Sequence, residues 1–139
     1  MTSGRKKKVL FVCVGNCCRS QMAEGFAAHH GGDVLIAESA GLVPAGVVVD
    51  ETVRSMAEKN IDISGQYSKG MRLEHTVDYD LIVNISGFSL PESVQTPSVA
   101  WAVPDPIGQS DQVYALVRDQ IEALVLQLIS DFRQGRQQA

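Results

Sequence analysis

The sequence of 139 residues lacks long apolar runs, and it has no excess of positive charge. No stretch approaches the roughly 20 apolar residues that a membrane-spanning helix needs, and the N-terminus does not resemble a signal peptide. The net charge is −4, which gives no support for nucleic-acid binding. We therefore expect no membrane partner, no nucleic-acid partner and a cytoplasmic location.

Cysteine is scarce, and its three positions, Cys13, Cys17 and Cys18, lie in one short stretch. A framework of structural disulfides would spread cysteines along the chain. A zinc site would need a Cys-x-x-Cys pair and a second group of ligands, and the sequence has neither. We therefore expect no metal and no cofactor, in a compartment where thiols stay reduced.

Apolar patterning predicts strands that alternate with helices. The strands are predicted near 8–13, 34–38, 79–85 and 99–103, and the helices near 20–30, 50–59, 71–74 and 111–132. This alternation predicts an α/β fold with three layers (α/β/α) around a four-stranded open parallel sheet. We expect one domain at 8–134, a basic N-terminal tail at 1–7 and a C-terminal tail at 135–139.

The stretch from Cys13 to Ser20, called here the phosphate loop, lies between the first predicted strand and the first predicted helix. Unpaired N–H groups and the helix dipole favour an anion at such a turn, and they also favour the thiolate form of a cysteine. Arg19 can curl back and hold a tetrahedral oxyanion with two N–H groups. The candidate anion-binding residues are Val14, Gly15, Asn16, Cys17, Cys18, Arg19 and Ser20.

Three residues of the phosphate loop have specific expectations. Gly15 allows a positive φ and a close approach of the backbone to a ligand. Asn16 tolerates a left-handed conformation, and its amide can tie the loop together. Ser20 can cap the helix or donate to the sulfur of Cys13.

Asp105 lies between two prolines beyond the fourth predicted strand. Pro104 and Pro106 hold it in an extended conformation, which makes it a candidate general acid, although a simple turn explains the same pattern. Ligands of open parallel sheets bind beyond the carboxyl ends of the strands. We expect that edge to gather Cys13, Ser39, Ser86 and Asp105.

The run from Val12 to Glu24 resembles the phosphate loop of the low-molecular-weight protein tyrosine phosphatases and of the thioredoxin-coupled arsenate reductases that share their fold. Asp105-Pro106 resembles the Asp-Pro pair of the family, and the segments 39–41 and 61–64 resemble two others. The resemblance implies that Cys13 is the nucleophile and that Arg19 binds the oxyanion. It also implies that Asp105 acts first as an acid and then as a base.

The same resemblance implies roles for four supporting residues. Ser20 would assist the leaving thiolate, and Asn16 and Ser39 would brace the loop. Cys18 would be a redox partner that can form a protective disulfide with Cys13.

Two departures from the family pattern bear on function. Segment 39–64 and helix segment 117–122 resemble the arsenate reductases, yet that branch has two further cysteines after the third strand, where this chain has Ile85-Ser86-Gly87-Phe88-Ser89. The phosphatases usually follow Asp-Pro with tyrosines, where this chain has Ile107-Gly108. The internal relay of the reductases is therefore absent, and the residues after Asp-Pro do not match the aromatic rim of the phosphatases.

The sequence therefore favours a phosphatase that hydrolyses phosphomonoesters, with protein phosphotyrosine among the candidate substrates, through a cysteinyl-phosphate intermediate. One alternative is a monothiol-type arsenate reductase that depends on an external thiol or redoxin. Another is an oxyanion-binding module switched by a disulfide between Cys13 and Cys18.

Overall fold

The computed structural model describes residues 5–135. The chain order of the elements is β1 (Lys7–Cys13), α1 (Arg19–Gly31), β2 (Leu35–Gly41), α2 (Asp50–Ala57), a 3₁₀ helix (Leu73–Asp78), β3 (Leu81–Asn84), β4 (Ser98–Ala100) and α3 (Asp111–Arg133). None of the helices in this range combines the length and the hydropathy of a membrane span.

The strands form one parallel sheet in the order β2-β1-β3-β4. This confirms the predicted α/β class and the four-stranded parallel sheet. The central strands are apolar and buried over residues 9–13 of β1 and 81–83 of β3, as expected for strands covered on both faces. The strand order reverses between β1 and β3, so the phosphate loop leaves the sheet at its switch point, where ligands of such sheets bind.

Alternate residues of β1 face two different cores. Val9 and Phe11 belong to the larger core, which includes side chains of all three α-helices. Leu10 and Val12 belong to a smaller core with Ile82, and partly buried side chains from segments 71–79 and 90–94 pack against it. The second face of the sheet is therefore covered by segments next to the 3₁₀ helix and by loops. The 3₁₀ helix lies at Leu73–Asp78, where we predicted a short helix near 71–74.

Several element boundaries differ from the sequence-based prediction. β4 ends at Ala100, because its partner strand β3 ends at the paired residue Asn84 and the ladder stops there. β2 continues to Gly41 because β1, which pairs with it, is equally long. Ser39 therefore lies inside this strand, whereas we expected it to follow the strand.

The two predicted tails are only partly described. β1 begins at Lys7, one residue before the predicted domain start. Arg5 donates to the carboxylate of Asp80 at 2.8 Å. Residues 1–4 of the N-terminal tail and 136–139 of the C-terminal tail lie outside the described residues.

Candidate active site

The phosphate loop joins β1 to α1, and α1 begins at Arg19. Ser20 is thus already inside the helix, and the expectation that it caps the helix is wrong. Cys18 occupies the N-cap position, and it makes no side-chain cap hydrogen bond. Ser20 Oγ accepts a hydrogen bond from Asn16 Nδ2 at 2.7 Å and lies 2.9 Å from the sulfur of Cys13. Its own hydrogen is therefore free to be donated to that sulfur.

Asn16 is fully buried and holds the loop in shape through both ends of its amide. Its φ of 50° is left-handed, whereas Gly15, where we expected a positive φ, does not have one. Asn16 Nδ2 also donates to Ser39 Oγ at 3.0 Å, and its Oδ1 accepts from the backbone N–H of Lys69 at 2.9 Å. The amide dipole thus fixes the strained residue from two sides.

Sequence reasoning missed a second set of supporting side chains. Gln21 is fully buried, and its Nε2 donates to the carbonyl and the Oδ1 of Asn16 at 3.0 and 2.9 Å. Gln66 Nε2 in turn donates to Gln21 Oε1 at 2.8 Å. Gln21 could have been predicted as a supporting residue, because it is a long polar side chain directly after the loop. Gln66 gave no such signal, since it is 45 positions further along the chain.

Lys69 places a positive charge beside this network. Its Nζ lies 3.3 Å from Ser39 Oγ and 3.6 Å from the carboxylate of Glu24. Glu24 in turn accepts a hydrogen bond from Ser39 Oγ. The contacts connect the loop to segment 66–69, which no local sequence pattern predicted.

Arg19 is the buried cation of the site, with 7% of its surface exposed. Its Nη1 donates to the carbonyl oxygens of Ile85 at 2.8 Å and Val103 at 3.0 Å. Its Nη2 lies 3.8 Å from the carboxylate of Asp105. The two carbonyls fix the orientation of the guanidinium, and a fixed guanidinium would bind an oxyanion at a lower entropy cost.

Asp105 combines the two interpretations that the sequence left open. Its Oδ1 accepts a hydrogen bond from the N–H of Ile107 at 3.1 Å, which is the contact of a simple turn. Its other oxygen faces Arg19, and its side chain is 51% exposed. The carboxylate is therefore both fixed by the turn and accessible to a proton from solvent.

The three cysteines are free thiols with different environments. Cys13 and Cys18 are buried, with 3% and 2% of their surfaces exposed, whereas Cys17 is half-buried. The Sγ atoms of Cys17 and Cys18 lie 3.9 Å apart. This contact lowers the pKa of Cys18 to about 7, against the opposing effect of burial, and raises the pKa of Cys17.

The family model of the low molecular weight phosphotyrosine protein phosphatases matches residues 8–138. The chain belongs to this family. The resemblance expected from the sequence is thereby confirmed.

Named relatives in this family are arsenate reductases. The chain is 40% identical over 128 residues to the glutaredoxin arsenate reductase of Synechocystis sp., which covers 89% of this chain and 97% of that protein. It is 36% identical over 124 residues to arsenate reductase 1 of Bacillus cereus, with coverage of 86% and 92%.

Solved structures give the same fold. An arsenate reductase in the phosphate binding state has a TM-score of 0.84 at 39% identity, over 91% of this chain and 98% of that one. The YwlE arginine phosphatase from Geobacillus stearothermophilus has a TM-score of 0.82 at 22% identity, over 93% and 94%. The phosphatase likeness shows the fold alone.

The segment after β3 contains serines and no cysteine. Ser86 is buried, and its Oγ donates to Asn84 Oδ1 at 2.6 Å and lies 3.2 Å from the carbonyl oxygen of Phe88. These contacts close the turn after β3 and do not involve the phosphate loop. Among residues 5–135, no three His, Cys, Asp or Glu side chains are grouped closely enough to hold a metal ion.

Gly41 controls how closely β2 approaches the phosphate loop. A Cβ atom there would lie 2.7 Å from the carbonyl oxygen of Val14 and 2.9 Å from the N–H nitrogen of Asn16. We expect Gly41→Ala to displace the loop, to lower the free energy of unfolding by about 1–3 kcal/mol and to weaken phosphate binding. Thermal unfolding and calorimetric titration with phosphate would measure both effects.

Gly65→Ala is the matched control, because a Cβ at Gly65 would have no neighbour within 4 Å. We expect it to bind phosphate like the unmodified protein. Equal phosphate binding by Gly41→Ala would contradict the importance of this close approach.

Proposed function

We propose that this protein is an arsenate reductase whose reducing thiols come from outside the chain. The observation that carries the proposal is the buried thiol of Cys13 at the base of an anion-binding loop, in a chain about 40% identical to arsenate reductases. The absence of cysteine after β3 supports an external thiol, because the chain lacks the two cysteines that form the internal relay of the arsenate reductases it resembles. Arsenate reduction, an alternative on sequence grounds, thus takes precedence over phosphoester hydrolysis.

In the first step, the thiolate of Cys13 attacks arsenic and displaces one oxygen as water. Arg19 and the N–H groups of the phosphate loop stabilise the negative charge on the other oxygens. Asp105 lies within reach of Arg19 and donates the proton that the leaving oxygen needs. Ser20 donates to the sulfur, which stabilises the thiolate before attack.

In the second step, an external thiolate attacks the sulfur of Cys13. The electron pair of the As–S bond returns to arsenic, which leaves as arsenite, and a mixed disulfide forms between Cys13 and the external thiol. A second external thiol reduces this disulfide and restores Cys13. Two thiols are oxidised to one disulfide for each arsenate reduced, so the electrons balance. Glutathione with glutaredoxin is the first system to test, in view of the name of the Synechocystis relative.

The proposal is tested by measuring arsenite release from arsenate with glutathione and glutaredoxin, with thioredoxin, and with mycothiol. We expect release with at least one of these thiol systems, and none with the Cys13→Ser variant. If none of the systems yields arsenite, the protein is not an arsenate reductase of this kind.

Replacing Asp105 by asparagine preserves its size and removes the proton donor. We expect kcat for arsenate to fall by about 10²-fold or more, because general acid catalysis contributes about 10²–10⁴-fold. Arsenate binding should change little, since Arg19 and the loop amides remain. Asp111→Asn, at an exposed carboxylate that faces Arg54 across 3.5 Å, is the matched control. An unchanged kcat in Asp105→Asn would exclude this proton transfer.

The second candidate is hydrolysis of phosphomonoesters through a cysteinyl-phosphate intermediate. The specific observation in its favour is the exposed carboxylate of Asp105 opposite Arg19, because it can protonate a leaving alkoxide and then activate water. Ile107, at the position where the phosphatases usually have a tyrosine, argues against phosphotyrosine as the substrate. Aryl phosphate turnover at mildly acidic pH tests this candidate, and robust turnover by Cys13→Ser would exclude its mechanism.

The third candidate is a module switched by a disulfide between Cys13 and Cys18. It predicts that this disulfide forms on peroxide treatment, and mass spectrometry would detect it. The arsenate reductase proposal also implies a cytoplasmic location, since a mechanism that uses an external thiol needs a reducing compartment.

A further inference from the structure

Two adjacent thiols of the phosphate loop point to the same side of the chain. Consecutive side chains of an extended segment point in opposite directions. Here the left-handed Asn16 and the start of α1 bend the backbone, and the Sγ atoms of Cys17 and Cys18 come within 3.9 Å of each other. The pair is therefore brought together by the fold and not by sequence adjacency alone.

Contacts from two helices hold this pair in place. Thr52 Oγ1 of α2 donates to the carbonyl oxygen of Cys17 at 3.1 Å. Tyr114 Oη of α3 lies 3.6 Å from the sulfur of Cys18. Thr52 and Tyr114 are buried, so the backbone of Cys17 and the sulfur of Cys18 are held in place before a ligand binds.

The separation of 3.9 Å is far longer than the roughly 2.05 Å of a disulfide bond. It suits one soft atom bound by both sulfurs, since bonds from thiolate to a soft ion such as zinc are about 2.3 Å long. Thiolates select soft, thiophilic ions over hard ones. No third ligand of the Cys, His, Asp or Glu type joins them in the described part of the chain. The site therefore fits an atom that needs two sulfurs and keeps another substituent.

We propose that Cys17 and Cys18 form a dithiol site for trivalent arsenic. Each thiol replaces one hydroxyl on arsenic, so two As–S bonds form, two As–O bonds break, two water molecules leave and no atom changes its oxidation state. The choice of arsenic as the natural ligand rests on the proposed function, because arsenite is the product of that reaction. The product would thus be held beside the thiol that made it.

The two cysteines act in order. Cys17 is half-buried and forms the first bond from solvent, and Cys18 closes the ring from inside the loop. Because the second bond is intramolecular, the two thiols together bind more tightly than either one alone.

The experiment is a titration of the reduced protein with phenylarsine oxide, followed by mass spectrometry under native conditions, without arsenate or reductant turnover. We expect one arsenic per chain in the unmodified protein and in Cys13→Ser. Cys17→Ser should weaken binding by about 100-fold or more, since linking two binding groups contributes about 10²–10⁴. Cys18→Ala should have a similar effect. A dithiol competitor should remove the arsenic where a monothiol at equal concentration does not.

Equal binding by Cys17→Ser, or loss of binding in Cys13→Ser, would overturn the proposal, because either result places arsenic on another thiol. Circular dichroism verifies folding, and Cys17→Ser carries the test alone if the buried change at Cys18 prevents folding. The outcome is independent of reductase activity. Arsenic binding without arsenite production would remove the proposed function and leave the site, and the reverse result would remove only the site.

Discussion

Replacing Cys13 by serine should abolish turnover of arsenate, by a factor of about 10⁴ or more, and should leave oxyanion binding intact. Loss of a nucleophile in hydrolases costs about this much or more. The serine hydroxyl is a far weaker nucleophile at neutral pH, because the attacking species of cysteine is the thiolate. Its small volume change at a buried position should not disturb the loop. Initial rates of arsenite release, with and without each thiol system, would measure the effect.

Binding and folding are the controls for this variant. Arg19 and the loop amides remain in place, so calorimetric titration with phosphate should give an affinity close to that of the unmodified protein. Thermal unfolding should also be nearly unchanged. Arsenate turnover in the serine variant would contradict the assignment of Cys13 as nucleophile. Loss of phosphate binding together with turnover would mean that the sulfur contributes mainly to the shape of the loop.

Replacing Arg19 by lysine should lower kcat/KM by about 10²–10³-fold, although the positive charge is kept. Removal of one donor to a developing oxyanion costs this much in other enzymes. The guanidinium donates to two carbonyls, those of Ile85 and Val103, and still has N–H groups for an oxyanion. One ammonium group cannot serve the same three directions in a plane. The two carbonyls would also lose donors, at a cost of about 1–3 kcal/mol each.

Arg54→Lys is the matched control, because Arg54 makes an exposed ion pair with Asp111 at 3.5 Å, far along the chain from the loop. Exposed pairs of this kind contribute about 0–1 kcal/mol, so neither turnover nor unfolding should change. Steady-state kinetics and thermal unfolding of the two variants would be compared. Equal kcat/KM for Arg19→Lys and the unmodified protein would show that charge alone is enough at this position.

The fold was predictable where local patterns are strong. The apolar runs of β1 and β3 are buried on both faces, and the helical spacing of α3 predicted its bounds to within a residue. The prediction failed at β4, whose length depends on where β3 ends. It also failed at Ser20, because one residue decides whether a side chain caps a helix or lies inside it.

The phosphate loop was recognisable for a similar reason. Its residues are contiguous, so a strand, a turn and a helix N-terminus can be inferred from sequence spacing. The supporting residues Gln66 and Lys69 are remote in sequence, and they meet Gln21 and Ser39 only because β2 and the segment after α2 pass beside the loop. The local sequence around Gln66 and Lys69 has no pattern that predicts those contacts.

The sequence by itself determined the class of fold, the family and the loop that holds Cys13 and Arg19, because these depend on short-range order along the chain. Only the tertiary structure decided which groups surround that loop. The carbonyls that orient Arg19 and the approach of Gly41 to the loop both depend on how separate elements pack. Packing brings remote atoms together without requiring any pattern in the residues between them. The contacts around the loop therefore depend on the tertiary structure alone.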